Sequence, residues 1–286
     1  MTTPLPVTVC IPARNEAKNL PACLASLGGD FYQVVVVDSQ STDATREIAA
    51  AAGAMVLEFR WDGKFPKKRN WALRNHLWEA PWVLFLDADE RVTPEFVEEL
   101  RRMLLKTDKA GFWISFTDWF MDKPLHHGDV FCKLALFRIG AGEYERFPEE
   151  WWSDLDMEVH EHPVLDGEIG EIKARLEHHD YRGLQSYIWR HNEYSTWEAN
   201  RFMWLTTANS EEWNKLIPRQ RFKYRHLDKW WFSPLYFLIG YFLKGGFLDG
   251  ATGLRFALMK LRYFTDMRLK IWERRREKHG AKVSTG

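Results

Sequence analysis

The 286 residues predict an α/β protein with a mostly parallel sheet. Three observations carry this. Short apolar runs alternate with helix-like stretches over the first 110 residues, the pattern of repeated βα units. The run Trp-Val-Leu-Phe-Leu that opens at Trp82 has no polar break, as in a strand buried on both faces. Acids follow such runs directly, at the strand ends where open α/β sheets bind ligands.

The elements come in order. Residues 7–11 are a short apolar strand, and 17–27 have helical spacing that stops at Gly28-Gly29. Residues 34–37 are β-branched and end at Asp38. Ser41-Thr42-Asp43 can cap a helix that runs to about Ala52. Residues 54–59 are the third strand, and 66–77 a helix with Pro66 near its start. Residues 82–86 are the fourth strand and 94–105 a further helix. The pattern then changes. Runs at 111–120, 133–138, 159–164 and 169–176 have no convincing helix between them, so antiparallel or mixed strands are expected on one side of the sheet. Residues 184–213 look helical, with Leu184, Tyr187, Ile188, Tyr194, Trp197, Leu205 and Ala208 along an apolar face. The expected organisation is 1–110, 111–183 and a C-terminal helical region at 184–286.

The zero net charge hides an asymmetry. Residues 215–286 hold 17 Lys+Arg against 5 Asp+Glu, a net of +12, and the remainder is net −12. Such a tail is expected to meet a polyanion, and its aromatic content favours lipid over nucleic acid. No nucleic-acid-binding motif is recognised. Residues 230–243 are apolar but number 14, short of the roughly 20 that span a bilayer. Residues 253–272 interleave Leu, Phe, Met and Ile with Arg255, Lys260, Arg262, Arg268 and Lys270, the make-up of a helix lying on an anionic membrane. The plainer reading is a core helix with a solvated basic face. The 15 Trp fit sugar stacking, lipid anchoring or an aromatic core.

Cys10, Cys23 and Cys132 match neither a zinc site nor a disulfide framework. The opening MTTPLPVTVCIP lacks the marks of a secretory signal, so a cytosolic setting is expected. No Gly-x-Gly-x-x-Gly follows the first strand, which sets a dinucleotide dehydrogenase aside.

Asp87 and Asp89 close the fourth strand. Unpaired carboxylates there would be costly, and a Mg²⁺ or Mn²⁺ ion bridging them to a diphosphate would offset that cost. The plainer reading is that Asp89 and Glu90 cap the helix near Pro94. Lys67, Lys68 and Arg69 at a helix start oppose its dipole and suggest an anion to hold, the alternative being a solvated basic face.

Four stretches then line up: Ile-Pro-Ala-Arg-Asn-Glu ending at Glu16, Val-Val-Val-Asp ending at Asp38, Lys-Lys-Arg-Asn ending at Asn70, and Leu-Asp-Ala-Asp ending at Asp89. Together they resemble the donor-binding half of family-2 inverting glycosyltransferases of the GT-A fold, a Rossmann-like, mostly parallel mixed sheet with flanking helices. Val-His-Glu161, Leu-Glu-His178-His-Asp-Tyr and Gly-Phe-Leu-Asp-Gly250 are similar to bacterial enzymes of the lipopolysaccharide inner core, such as β-1,4-glucosyltransferases.

The resemblance implies site residues. Pro12, Arg14, Glu16 and Asp38 would line a nucleoside pocket. Lys67, Arg69 and Asn70 would face the donor, Asp87 the ribose or metal-bound water, and Asp89 and His178 the metal, with His179 as an alternative to His178. Glu161 would be the base that deprotonates the acceptor, with Asp156 and Glu158 as competitors and His160 structural. Arg138 would bind the acceptor, although the usual second Arg is Ala135 here. The implied reaction moves a sugar from a nucleotide diphosphate, expected to be UDP, to a lipid-linked saccharide at the cytoplasmic face of a bacterial inner membrane. Transfer to polyprenyl phosphate is the near alternative. A non-catalytic membrane scaffold is the distant one, opposed by the intact Asp38, Asp87, Asp89 and Glu161.

Overall fold

The computed structural model describes residues 3–146, 156, 158, 161–207 and 210–283. It divides into two compact units. The first is Met1–Trp119 with Val130–Asp180, and the second is Phe120–Asp129 with Tyr181–Gly286.

The strands of the first unit are β1 (Leu5–Ala13), β2 (Phe31–Asp38), β3 (Met55–Glu58), β4 (Trp82–Phe85), β5 (Glu90–Arg91) and β6 (Gly111–Phe120). After β7 (Lys123–Pro124), in the second unit, come β8 (Phe131–Arg138), β9 (Gly142–Tyr144), β10 (Pro163–Leu165) and β11 (Ile169–His178). The helices are α1 (Leu20–Ser26), α2 (Thr45–Ala51), α3 (Lys68–Asn75) and α4 (Pro94–Leu104).

The sheet runs β3-β2-β1-β4-β8-β6-β11-β5. β1, β2, β3 and β4 are parallel. β8 lies antiparallel between β4 and β6, and β11 is parallel to β6. The expected mixed half is therefore present. Residues 159 and 160 lie outside the described residues, and the run expected there enters the fold as β10, antiparallel to β9 in a separate two-stranded sheet.

Period-2 alternation explains why the parallel strands read as unbroken apolar runs. Val7, Val9 and Ile11 pack on one face with Leu20 and Cys23 of α1 and Phe96 and Leu100 of α4. Cys10, Val35 and Val37 pack on the other with Phe59 and Ala72 of α3. All three cysteines are free.

The cap of α4 is Thr93, whose Oγ1 accepts from the Phe96 N–H at 3.3 Å, with Pro94 in the first turn. This corrects the plainer reading of the acid pair: Asp89 and Glu90 are not spent on capping.

The second unit is helical: α5 (Leu184–Thr207), α6 (Ser210–Lys215), α7 (Pro218–His226), α8 (Phe232–Leu238) and α9 (Gly250–Val283). Ala208, expected on the apolar face, lies outside the described residues. Phe202 and Leu205 of α5 share a core with Phe232 of α8 and Phe264, Met267 and Ile271 of α9, the last three spaced for one helix face. A π-helical turn (Ile239–Leu243) and a 3₁₀ turn (Gly246–Asp249) join α8 to α9. There the chain packs backbone on backbone: a Cβ on Gly253 would stand 2.1 Å from the Gly246 carbonyl oxygen. Around this hairpin Leu238, Phe242, Leu243, Phe247, Leu248, Leu254 and Leu258 are exposed. No described helix is long and apolar enough to cross a membrane.

Phe96 is fully buried between α4 and the sheet. Phe96→Ala is expected to cost about 3–5 kcal/mol of stability by urea unfolding.

Candidate active site

Parallel strands bring three loops to one edge. Ala13 at the end of β1 is paired with Asp38 at the end of β2. The Leu86 N–H bonds to the Cys10 carbonyl at 3.1 Å, carrying β4 on beside β1. The first two loops are stitched together. Asn15, at φ 57°, donates its N–H to Ser41 Oγ at 2.8 Å and accepts from the Thr42 N–H at 2.8 Å. The Glu16 N–H bonds to Thr45 Oγ1 at 2.8 Å.

Asp38 is fully buried. Its Oδ2 accepts from the Ser41 N–H at 2.9 Å, while Oδ1 is buried with no hydrogen-bond partner among the described residues. An acceptor left in this condition is costly unless a ligand N–H or O–H meets it. Pro12 is buried, Arg14 exposed and Glu16 half-buried, with Glu16 Oε2 accepting from Asn19.

Asp87 is gripped by two cations. Arg69 Nη2 donates to Oδ1 and Lys133 Nζ to Oδ2, both at 2.6 Å. Lys133 also meets Glu90 Oε1 at 2.5 Å, and Glu90 Oε2 accepts from the Asp87 N–H at 2.9 Å. Burial disfavours the Asp87 carboxylate, but Lys133 and Arg69 override it and hold the group well below the usual range. Burial pushes Glu90 up, and the neighbouring Asp87 charge adds to that against the pull of Lys133.

Lys133 was not singled out by the sequence reading, and strand register explains its position. β4 and β8 pair Trp82 with Arg138, Val83 with Phe137 and Leu84 with Leu136. Carried three residues on, the same register sets Lys133 opposite Asp87. A lysine within Phe-Cys-Lys-Leu-Ala-Leu-Phe was the only available signal.

The basic start of α3 is buried, with neither a solvated face nor free cations among its described contacts. Lys67 Nζ meets Glu161 Oε1 at 2.9 Å, and Lys68 Nζ meets Asp156 Oδ2 at 3.4 Å. Glu158 accepts from the Arg69 and Asn70 N–H groups at 2.8 and 3.0 Å, ending the first turn of the helix as a cap would. That commits Glu158 to structure, while Glu161 and Asp156 are each held by a lysine at the start of α3. Asn70 exchanges two hydrogen bonds with the Tyr144 backbone, both at 2.9 Å. Its carboxamide therefore ties α3 to β9, which corrects the expectation that it faces a ligand.

β5 folds back to pair with the end of β11, His178 opposite Glu90. The His179 N–H bonds to the Asp89 carbonyl at 2.8 Å. This brings Asp89, His178 and Asp180 together, one ligand atom from each, all within 4.8 Å of one another. His178 Nδ1 lies 2.8 Å from Asp118 Oδ1, and Nε2 lies 4.0 Å from Asp89 Oδ1. Burial lowers the imidazole pKa, but the Asp118 hydrogen bond and the surrounding acids overcome this and raise it to about 10. His179 instead pairs with Glu177 and stacks on Trp119 at 4.7 Å, away from the cluster. One imidazole nitrogen with two carboxylates suits Mn²⁺ or Mg²⁺. His160 lies outside the described residues.

Arg138 is a further correction. It sits opposite Trp82, five residues and about 16 Å up the strand from Asp87. Its guanidinium binds the Lys109 and Thr107 carbonyls at 3.0 and 2.7 Å and lies 4.4 Å from the Trp82 ring centroid. It closes a strand end and does not reach the acid centre.

A mixed sheet of this order, with acids at the parallel strand ends, is a GT-A-like ligand-binding architecture. The sequence model of Glycosyl transferase family 2 matches residues 8–139. The lipopolysaccharide core biosynthesis glycosyltransferase LpsC of Rhizobium meliloti is 27% identical over 91% of this chain and 92% of its own length. A TPR repeat-containing protein of Synechococcus elongatus is 37% identical over 38% of this chain, which spans 26% of that relative. Among solved structures, S. aureus TarS is 15% identical over 95% of this chain and 91% of that one, with a TM-score of 0.45. Glucosyl-3-phosphoglycerate synthase of Mycobacterium tuberculosis, with Mn²⁺ and UDP, is 24% identical over 39% and 43%, with a TM-score of 0.31. Residues 8–139 thus match glycosyltransferase family 2, and a lipopolysaccharide core glycosyltransferase matches the chain along most of its length.

Lys133→Met leaves Asp87 and Glu90 without their shared cation and is expected to cost about 3–5 kcal/mol in urea unfolding. Arg138→Ala should cost about 1–3 kcal/mol and leave nucleotide binding unchanged by calorimetry.

Proposed function

We propose that this protein is a metal-dependent, inverting glycosyltransferase. It moves a sugar from a UDP-sugar to a lipid-linked saccharide of the lipopolysaccharide-core type, at the cytoplasmic face of a bacterial inner membrane. The observation that carries the reading is the Asp89, His178 and Asp180 cluster beside Asp87 at the end of β4. The full-length match to LpsC supports the acceptor class.

Asp89, His178 and Asp180 would hold the divalent cation, which supplies positive charge against the diphosphate as the sugar leaves. Asp38 offers a buried, unmatched acceptor to the nucleoside. Uracil presents an N3–H to such an acceptor, whereas cytosine presents a lone pair there, so Asp38 favours uridine. Pro12 at the end of β1, and Arg14 and Glu16 on the loop bonded to the Asp38 turn, would line the same pocket. Arg69 and Lys133 keep Asp87 charged and oriented toward the ribose. Glu161 takes the proton of the acceptor hydroxyl, with Lys67 holding its carboxylate at 2.9 Å.

The membrane part of the reading rests on the second unit. Phe242, Leu243, Phe247 and Leu248 stand exposed at the α8–α9 hairpin, with Lys244 among them and Arg255 exposed in the first turns of α9. Apolar side chains flanked by cations suit an anionic lipid surface.

A donor screen tests the chemistry. Wild-type protein with Mn²⁺ should hydrolyse one UDP-sugar, and Asp89→Ala should lower that rate by about 100-fold or more. Turnover that persists in a chelator would sink the metal role. Cosedimentation with vesicles containing phosphatidylglycerol tests the surface: wild type should pellet and the double variant Phe242→Asp, Leu243→Asp should stay in solution. Equal pelleting of the two would remove the hairpin from membrane binding.

A further inference from the structure

Resting on the reading of Asp89, His178 and Asp180 as the cation site, we propose that Asp118 is the positioning residue of that site. In this role it fixes the imidazole of His178 so that Nε2 is presented to the cation. Asp118 is reached through the sheet. β6 and β11 are parallel neighbours, and their register pairs His178 with Asp118. On its other side His178 pairs with Glu90 of β5. Three adjacent strand ends thus set Asp118, His178 and Glu90 in a row.

The ring has little freedom. Phe131 stacks on it at 5.3 Å with 28° between the planes, and Phe116 meets it at 6.2 Å and 70°. Asp118 Oδ1 lies 2.8 Å from Nδ1. An ionised carboxylate can only accept, so the proton between them belongs to Nδ1. A cation that displaces the other ring proton therefore meets the lone pair of Nε2, the nitrogen on the side of Asp89. The 4.0 Å from Nε2 to Asp89 Oδ1 is too long for a hydrogen bond. The two atoms therefore do not satisfy each other directly. A carboxylate behind a ligating histidine fixes the tautomer and raises the basicity of the nitrogen that binds metal. Asp118 touches neither donor nor acceptor in this scheme. It acts through His178 alone.

The test reads Mn²⁺ affinity directly, by electron paramagnetic resonance of free Mn²⁺, alone and with UDP. It uses wild type, Asp118→Leu, Asp118→Asn and Asp89→Ala, each checked for folding by circular dichroism. The Asn side chain still accepts from Nδ1–H but carries no charge. Wild type should bind most tightly, Asp118→Asn more weakly, and Asp118→Leu about 10–100-fold more weakly than wild type. Equal affinity of folded Asp118→Leu and wild type overturns the proposal. Should Asp118→Leu fail to fold, Asp118→Asn decides, and a loss of less than about twofold overturns it. If wild type and Asp89→Ala bind equally, or neither binds, the cation reading itself falls. If Asp89→Ala alone loses binding, that reading stands and only the role of Asp118 falls.

Discussion

Charge buried at the end of a sheet is tolerable only when opposite charge arrives to meet it. At the edge of this sheet that condition dictates almost every placement. Asp87 is met by Arg69 from α3 and Lys133 from β8, and Glu90 shares the same lysine. The first turn of α3 lies among carboxylates of the later chain, Asp156, Glu158 and Glu161. The start of α3 and the segment between β9 and β10 are therefore bound by ion pairs. Neither set of charges would be affordable alone.

The signals that the chain carries along its length are local. The four parallel strands, their acidic ends and the helices between them follow from apolar periodicity and from where the chain turns polar. Asp38, Asp87 and Asp89 stand where a strand-end argument puts them. Lys133 and Asp118 escaped because their roles come from pairing across the sheet, 46 and 60 residues from the partners they touch. No short-range pattern encodes such a register. Arg138 was misplaced for the same reason: its place in a family-like motif is visible, but which end of β4 it faces is not.

The start of α3 shows a different failure. Cations against a helix dipole argue for an anion, and that inference was sound. The anions turned out to be side chains of this chain. Dipole reasoning names the sign of a partner but not its source. Asn70 makes the same point, since a residue recognisable in a motif is here occupied by the backbone of Tyr144.

The glycine contact between the 3₁₀ turn and the first turn of α9 has a mechanical consequence. With Gly253 lodged against the Gly246 carbonyl, no side chain separates the connecting turn from the start of α9. Any larger residue at 253 would wedge them apart and change the direction in which the long helix departs.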